Sequence, residues 1–163
     1  MTSGKTLPSL SQEVAVSWQG REGETFSVSF ATMWEWVSRF ASVLEKYEMS
    51  RGEMLCIYLP QVPERIAAVL GASAKGVIPF FCRDAQEMQK LVLMTKAKIA
   101  FTTDELLPAF ANLDLEKVIV LKRGAALFPL NRERDVWFHE VMAKAKGSPI
   151  NLELEGKIGH PGL

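Results

Sequence analysis

Hydrophobic and polar positions change period several times along the chain, and each change marks an element. Val14-Ala15-Val16-Ser17-Trp18 alternates as a half-buried strand does, and Thr25 to Phe30 repeats the alternation. Gly20-Arg21-Glu22-Gly23-Glu24, between them, has the composition of a hairpin loop. The period then lengthens. Met33, Trp36, Val37, Phe40, Leu44 and Tyr47 recur at steps of three and four, which gathers them on one face of an amphipathic helix. Ser29 and Thr32 are both competent caps for it, and Thr32 with Glu35 has capping-box spacing.

A continuous apolar run follows, Leu55-Cys56-Ile57-Tyr58-Leu59, with the branched and aromatic character of a buried strand. Pro60 and Pro63 stop it. Pro63 suits the first turn of a helix, where its missing N–H is not needed, and Glu64 beside it suits the positive end of the helix dipole. The Ala-rich helix Arg65 to Lys75 ends at Gly76, and Val77 to Cys82 is a second apolar run. Two parallel strands require such a crossover, so the stretch reads as strand, helix, strand. Further on, Ala85 to Ala97 predicts a helix capped by Asp84, Lys98 to Asp104 a short strand, and Leu106 to Ala111 one or two helical turns. Lys117 to Arg123 predicts a central strand, and Val136 to Lys146 a last helix with Asp135 as its cap. Ser148-Pro149, Gly156, Gly159, Pro161 and Gly162 mark an irregular tail.

Strands alternating with helices predict an α/β fold: an N-terminal β-hairpin and helix, then a mostly parallel sheet of about four strands with flanking helices. The expected organisation is a flexible N-terminus over 1–13, the α/β segment over 14–146, and an irregular C-terminal tail over 147–163.

Composition narrows the functional classes. The 163 residues carry 19 basic and 19 acidic side chains, 48% hydrophobic and 23% charged residues, the balance of a soluble globule. That cancellation points to no nucleic-acid partner. No apolar run approaches the roughly 20 residues needed to cross a bilayer, and Met1 to Gln12 lacks the order of a secretory signal, so no membrane partner and a cytoplasmic location are expected. Cys56 and Cys82 fall in predicted strands and read as buried free thiols. Two distant histidines and two cysteines make no metal site. His139 reads as a helix-surface or packing residue, and Trp34, Trp36 and Trp137 as core or interface anchors. Lys122-Arg123 with Arg132 and Arg134 reads as a solvated basic rim.

Beyond periodicity, the letters themselves are informative. Ser50-Arg51-Gly52-Glu53, then Ile57 to Glu64 (IYLPQVPE), then Ala74-Lys75-Gly76-Val77 follow the order GD-x-V-A-I-Y-L-P-x-x-P-E and R-x-G-A-V. Arg39-Phe40-Ala41, Lys98 to Glu105, Lys117 to Arg123 and Arg134 to Glu140 supply further landmarks in order. On these residues the chain resembles the acyl-CoA synthetases, adenylate-forming ligases, and is most similar to those acting on acetate or propionate, from Val14 to about Ala145. Alignment to that family favours Ser29 as the cap of the first helix. The resemblance implies the first part of the synthetase's large domain and, for the family, ATP- and Mg-dependent activation of a carboxylic acid to acyl-AMP followed by transfer to coenzyme A.

Departures from the family pattern matter as much. Where the family places a T-S-G-S-T-G-x-P-K-G loop for the ATP phosphates, this chain has Leu152 to Leu163, without the hydroxyls. No catalytic residue carries over, and no cofactor is expected for this chain alone. The segment F-G-G-F-S, which in the family helps hold the nucleotide end of coenzyme A, aligns with Phe81-Cys82-Arg83-Asp84-Ala85. Phe81 and Arg83 are therefore the candidate cofactor-binding residues for a weak coenzyme A contact. Arg83 has the charge to pair with a phosphate and the bulk to fill its space. The expected partner is a second copy or a separate chain that completes the sheet. Three readings stay open: a synthetase segment whose catalytic remainder lies elsewhere, a non-catalytic binding, regulatory or oligomerisation module on the same scaffold, and a nucleotide or coenzyme A binder.

Overall fold

The computed structural model describes residues 14–19, 25–124 and 130–146. The expected hairpin loop, the N-terminal segment 1–13 and the tail over 147–163, with its substitute for the phosphate loop, lie outside the described residues. Strands β1 (Val14–Gln19) and β2 (Thr25–Ser29) pair antiparallel, as the alternation predicts. Helix α1 (Phe30–Lys46) follows directly, and Ser29 caps it, its hydroxyl accepting from the Thr32 amide at 3.2 Å.

Five parallel strands form the main sheet: β3 (Met54–Tyr58), β4 (Ile78–Phe81), β5 (Ile99–Thr103), β6 (Lys117–Leu121) and β7 (Asp135–Trp137). They lie side by side in the order β4-β3-β5-β6-β7. Helix α2 (Pro63–Ala74) makes the crossover from β3 to β4, and α3 (Ala85–Thr95) leads from β4 to β5. A 3₁₀ turn over Leu107–Phe110 lies between β5 and β6, and α4 (Phe138–Lys144) closes the described part.

Alternate residues of the central strands enter two cores, because successive side chains of a strand point to opposite faces. Leu55, Ile57, Ile99, Phe101 and Ile119 pack with Phe40 and Leu44 of α1, Ala68 and Ala72 of α2, and Phe138 and Met142 of α4. Phe101 is sandwiched there, its ring 5.6 Å from Phe40 and 5.0 Å from Phe138. On the other face Cys56, Ala100, Val118 and Val120 meet Met88 and Val92 of α3 and Leu107 and Phe110 of the 3₁₀ turn. Small residues let α1 and α2 approach closely: a Cβ on Gly71 would lie 3.0 Å from the Val37 carbonyl oxygen. Gly76 takes φ +75° where the chain turns from α2 into β4, and its carbonyl accepts from Gly52 N at 2.8 Å. Arg39, on α1, donates from one guanidinium nitrogen to the Met142 and Ala145 carbonyls at 2.8 and 3.0 Å, satisfying groups that the end of α4 leaves open.

Two expectations need correction. Asp135 does not cap the last helix. Residues Asp135–Trp137 are extended as a fifth strand paired with Val118–Val120, and α4 starts at Phe138 without a side-chain cap. The Asp135 carboxylate instead accepts from Arg134 Nε at 2.7 Å and from the Asn131 amide at 3.0 Å. Arg134, in turn, is not part of a solvated rim. It is buried, and a second nitrogen donates to the Phe110 and Leu113 carbonyls at 2.6 and 3.0 Å. A guanidinium can be buried where both a carboxylate and backbone oxygens meet its fork of donors.

Candidate functional site

A parallel sheet offers ligands the crevice beyond the carboxyl ends of its strands, above all where successive connections leave in opposite directions. Here that point falls between β3 and β5, since β3 leads outward to β4 while β5 leads to β6. The chain closes it with its own groups. Thr102 Oγ1 donates to the Tyr58 carbonyl at 2.9 Å across the two strands. Thr103 Oγ1 accepts from Leu106 N at 3.2 Å. Asp104, with a 2% exposed side chain, accepts from the amides of Arg123 and Gly124 at 2.9 and 3.1 Å and from Lys122 Nζ at 3.2 Å. Successive amides beside an ammonium would suit any anion; the carboxylate of Asp104 is the anion in place. Burial pushes its pKa up, but the two amides and Lys122 outweigh that and hold it below the ordinary aspartate value. Glu64, at the start of α2, is shifted the other way: burial raises it, and its own amide and the Arg123 charge offset only part.

The two helices that start at these strand ends begin differently: α2 has no side-chain cap, whereas α3 is closed by carboxylates of its own first residues. The approach to α2 is Leu59-Pro60-Gln61-Val62-Pro63, in which two residues have no amide hydrogen. At α3 the Asp84 carboxylate accepts from Glu87 N at 2.8 Å, and Glu87 accepts from Arg83 N at 2.9 Å and from its guanidinium at 2.8 Å. Carboxylates of the chain itself thus hold the position that a phosphate takes at a helix start. Asp84 caps α3 as its sequence position predicts.

An apolar groove of about 450 Å³ lies beside this region. Ser17 of β1, Gln61 and Val62 of the loop after β3, one face of α2, and Phe81 at the end of β4 line it. The Arg65 guanidinium stacks 4.6 Å above the Phe81 ring, a cation–π contact that holds both side chains against the groove wall. Phe81 therefore stands in a concave, mixed apolar and cationic setting. Arg83 does not join it: its side chain is 85% exposed and forms an ion pair with Glu87 at 2.8 Å. The two candidate residues are neighbours in sequence but serve different surroundings. Nothing in the local sequence marks Arg65, since only the folded crossover brings the first turn of α2 over the end of β4.

Cys56 and Cys82 are free thiols, as expected, with their sulfurs 3.9 Å apart. Cys56 is buried in β3, but the expectation of burial within a strand fails for Cys82, which lies just beyond β4 and is only partly buried because that strand is at the edge of the sheet. Among the described residues no group of three or more His, Cys, Asp or Glu side chains is arranged to hold a metal ion. His139 is exposed, 3.9 Å from Glu140 and stacked loosely on Trp137. No helix among the described residues is long and apolar enough to cross a membrane.

A five-stranded parallel sheet with helices on both faces, its strand ends sealed by internal polar contacts, defines an α/β domain of the doubly wound type. The chain belongs to the AMP-binding enzyme family, whose profile matches residues 9–151. It is 30% identical to the acetyl-coenzyme A synthetase of Shewanella baltica over 91% of this chain and 26% of that protein. With the acetyl-coenzyme A synthetase of Vibrio cholerae it shares 28% identity over 93% of this chain and 27% of the relative. The crystal structure of the Brucella canis acyl-CoA synthetase superposes with a TM-score of 0.72 at 20% identity, covering 85% of this chain and 26% of that one. At that identity the superposition speaks for the fold. The chain spans about a quarter of the length of these relatives.

Proposed function

We propose that this chain supplies the opening α/β layer of an acetyl-CoA-synthetase-like ligase, as scaffold rather than as reactive machinery. In this reading the complete ligase activates a carboxylic acid with ATP to an acyl-adenylate and passes the acyl group to coenzyme A. This polypeptide alone carries out neither step, and a cytoplasmic location goes with that role. One observation supports it above the rest: positions where a parallel sheet would grip phosphates are taken by the carboxylates of Asp104, Asp84 and Glu87. With those carboxylates in place, the described strand ends do not suit the phosphates of ATP.

Pyrophosphate exchange and thioester formation, measured on the purified chain with ATP, Mg, coenzyme A and acetate or propionate, test this directly. Turnover above the protein-free background sinks the scaffold reading. A partner that completes the sheet, whether a second copy or a separate chain, follows from the same reading. The exposed apolar side chains Ile78 and Phe81 on edge strand β4 support it. Light scattering across a wide concentration range tests self-association, and a persistent monomer excludes a homo-oligomer.

A second reading, a non-catalytic binding, regulatory or oligomerisation module on the same scaffold, is favoured by Arg83. Its guanidinium is engaged by Glu87 and projects into solvent. Only Phe81, in the groove with Arg65, keeps a setting suited to an aromatic or anionic ligand. Calorimetry with coenzyme A and with AMP discriminates: heat that disappears in Phe81→Ala supports a residual coenzyme A contact, and flat traces remove it.

A further inference from the structure

The cysteine pair is independent of that function and carries a proposal of its own. Cys56 occupies the middle of β3, directly beside Phe80 of β4. Cys82 is two residues beyond Phe80, so both thiols lie on the same face of the sheet. Their sulfurs are 3.9 Å apart, and they pack among Tyr58, Phe80 and the core beneath α3. The two differ in access: Cys56 is fully buried and Cys82 reaches solvent. They also differ in freedom to move. Cys56 sits in a strand paired on both sides, whereas Cys82 follows an edge strand and is tied to β3 by one long hydrogen bond, its amide donating to Ile57 O at 3.3 Å.

We propose that Cys56 and Cys82 form a peroxide-sensitive thiol pair, in which Cys82 is oxidised first and Cys56 closes a disulfide onto it. In the first step the Cys82 sulfur attacks one oxygen of a hydroperoxide. The O–O bond breaks, the leaving oxygen takes up the thiol proton, and Cys82 becomes a sulfenic acid. In the second step the Cys56 sulfur attacks the Cys82 sulfur. The S–O bond breaks, and hydroxide departs as water with the Cys56 proton. Two thiols lose two electrons in total, and hydrogen peroxide becomes two molecules of water.

Closing the bond requires the sulfurs to approach by about 2 Å, to the covalent distance. Cys82 is the partner that moves, by side-chain rotation and a shift of the loose end of the edge strand. The hydrogen bond between the thiols favours the same division of labour. It lowers the pKa of Cys82 against the opposing effects of burial, Glu87 and Asp84, while the same bond and burial raise that of Cys56. The accessible sulfur is thus the more readily ionised of the two, and the buried one is kept as the resolving thiol. A disulfide that needs such movement and lies near solvent belongs to the labile, regulatory kind. Once formed, it ties the end of β4 and the start of α3 to the centre of the sheet.

The reduced full chain treated with graded hydrogen peroxide, then unfolded in excess iodoacetamide and weighed intact, tests the proposal. The expected product has lost about 2 Da, carries no alkyl group, yields a joined peptide pair containing Cys56 and Cys82, and reverts with dithiothreitol. Cys82→Ser should make Cys56 react about tenfold more slowly or not at all. Cys56→Ser should hold Cys82 as a sulfenic acid that dimedone traps. Both thiols alkylated at doses that oxidise free cysteine would overturn the proposal. So would disulfide-linked dimers in place of the internal bond, or Cys56 oxidising as fast in Cys82→Ser as in the unaltered chain. The Cys82→Ser variant alters a partly exposed position, so the proposal stays testable if Cys56→Ser fails to fold.

Discussion

Two arginines near the strand ends have opposite fates. Arg134 is buried beside β7, donating to Asp135 and to carbonyls 24 and 21 residues earlier in the chain. Arg83, beyond edge strand β4, projects into water and pairs with Glu87 one helical turn along. Both pairs are short, at 2.7 and 2.8 Å, so distance does not distinguish them. Surroundings do. An exposed ion pair exchanges water for a partner at little gain, whereas a buried one becomes costly to break, because the remaining charge has no water to return to. The β7 side of the sheet is held by a buried polar lock, and its β4 edge by contacts that solvent can replace.

The largest expected effect breaks the buried lock at β7. Arg134→Ala leaves the Asp135 carboxylate and two carbonyls without their donor and should cost about 3–5 kcal/mol in denaturant unfolding. Replacing both partners by apolar residues of similar size, Arg134→Met with Asp135→Leu, should recover much of that loss. Absence of recovery would mean that the charges themselves, and not the orphaned partner, carry the stability.

Next comes Asp104. Asp104→Ala leaves the Arg123 and Gly124 amides without this acceptor and should cost about 2–3 kcal/mol. Its depressed pKa adds a pH signature with a definite sign. A carboxyl group held more acidic in the folded state stabilises above its unfolded pKa of about 3.9 and loses that contribution as pH falls through the folded value. The stability gap between the unaltered chain and Asp104→Asn should therefore be constant near neutrality and shrink below about pH 4. A gap that widens in acid contradicts the lock.

Gly71→Ala gives a smaller effect. The new methyl meets the Val37 carbonyl oxygen and the Ala41 amide nitrogen at 3.0 and 3.1 Å, backbone atoms that cannot rotate away. That clash opposes the roughly 1 kcal/mol by which alanine favours a helix, and the net loss should be about 1 kcal/mol with a lowered unfolding midpoint. Smallest of all, Arg83→Ala should leave the unfolding curve superimposable on that of the unaltered chain. If Arg83→Ala and Arg134→Ala shift it equally, the contrast between the exposed and the buried pair fails.

Much of the architecture is legible in local pattern. The α1 stripe from Met33 to Leu44 reads directly from its spacing, as do the run at β3, the proline-started α2 and the Asp84 cap. β7 is not, because three residues between Asp135 and Trp137 are too few for a period to declare itself. Their extended form depends on β6 lying alongside. The candidate site was legible only in part. Phe81 reaches the groove and Arg65 stacks on it, while Arg83, the candidate cation, turns away to Glu87.

What the amino-acid sequence determined by itself is the order of strands and helices as far as β6, and the family. These rest on neighbours a few residues apart or on letters matched in order. Tertiary structure alone decided which charges are buried, which helix starts are occupied and which thiols meet. Those outcomes depend on groups brought together from distant parts of the chain, as Arg134 is with Phe110 and Cys56 with Cys82. Desolvation is a property of that assembled surrounding, and no residue carries it alone.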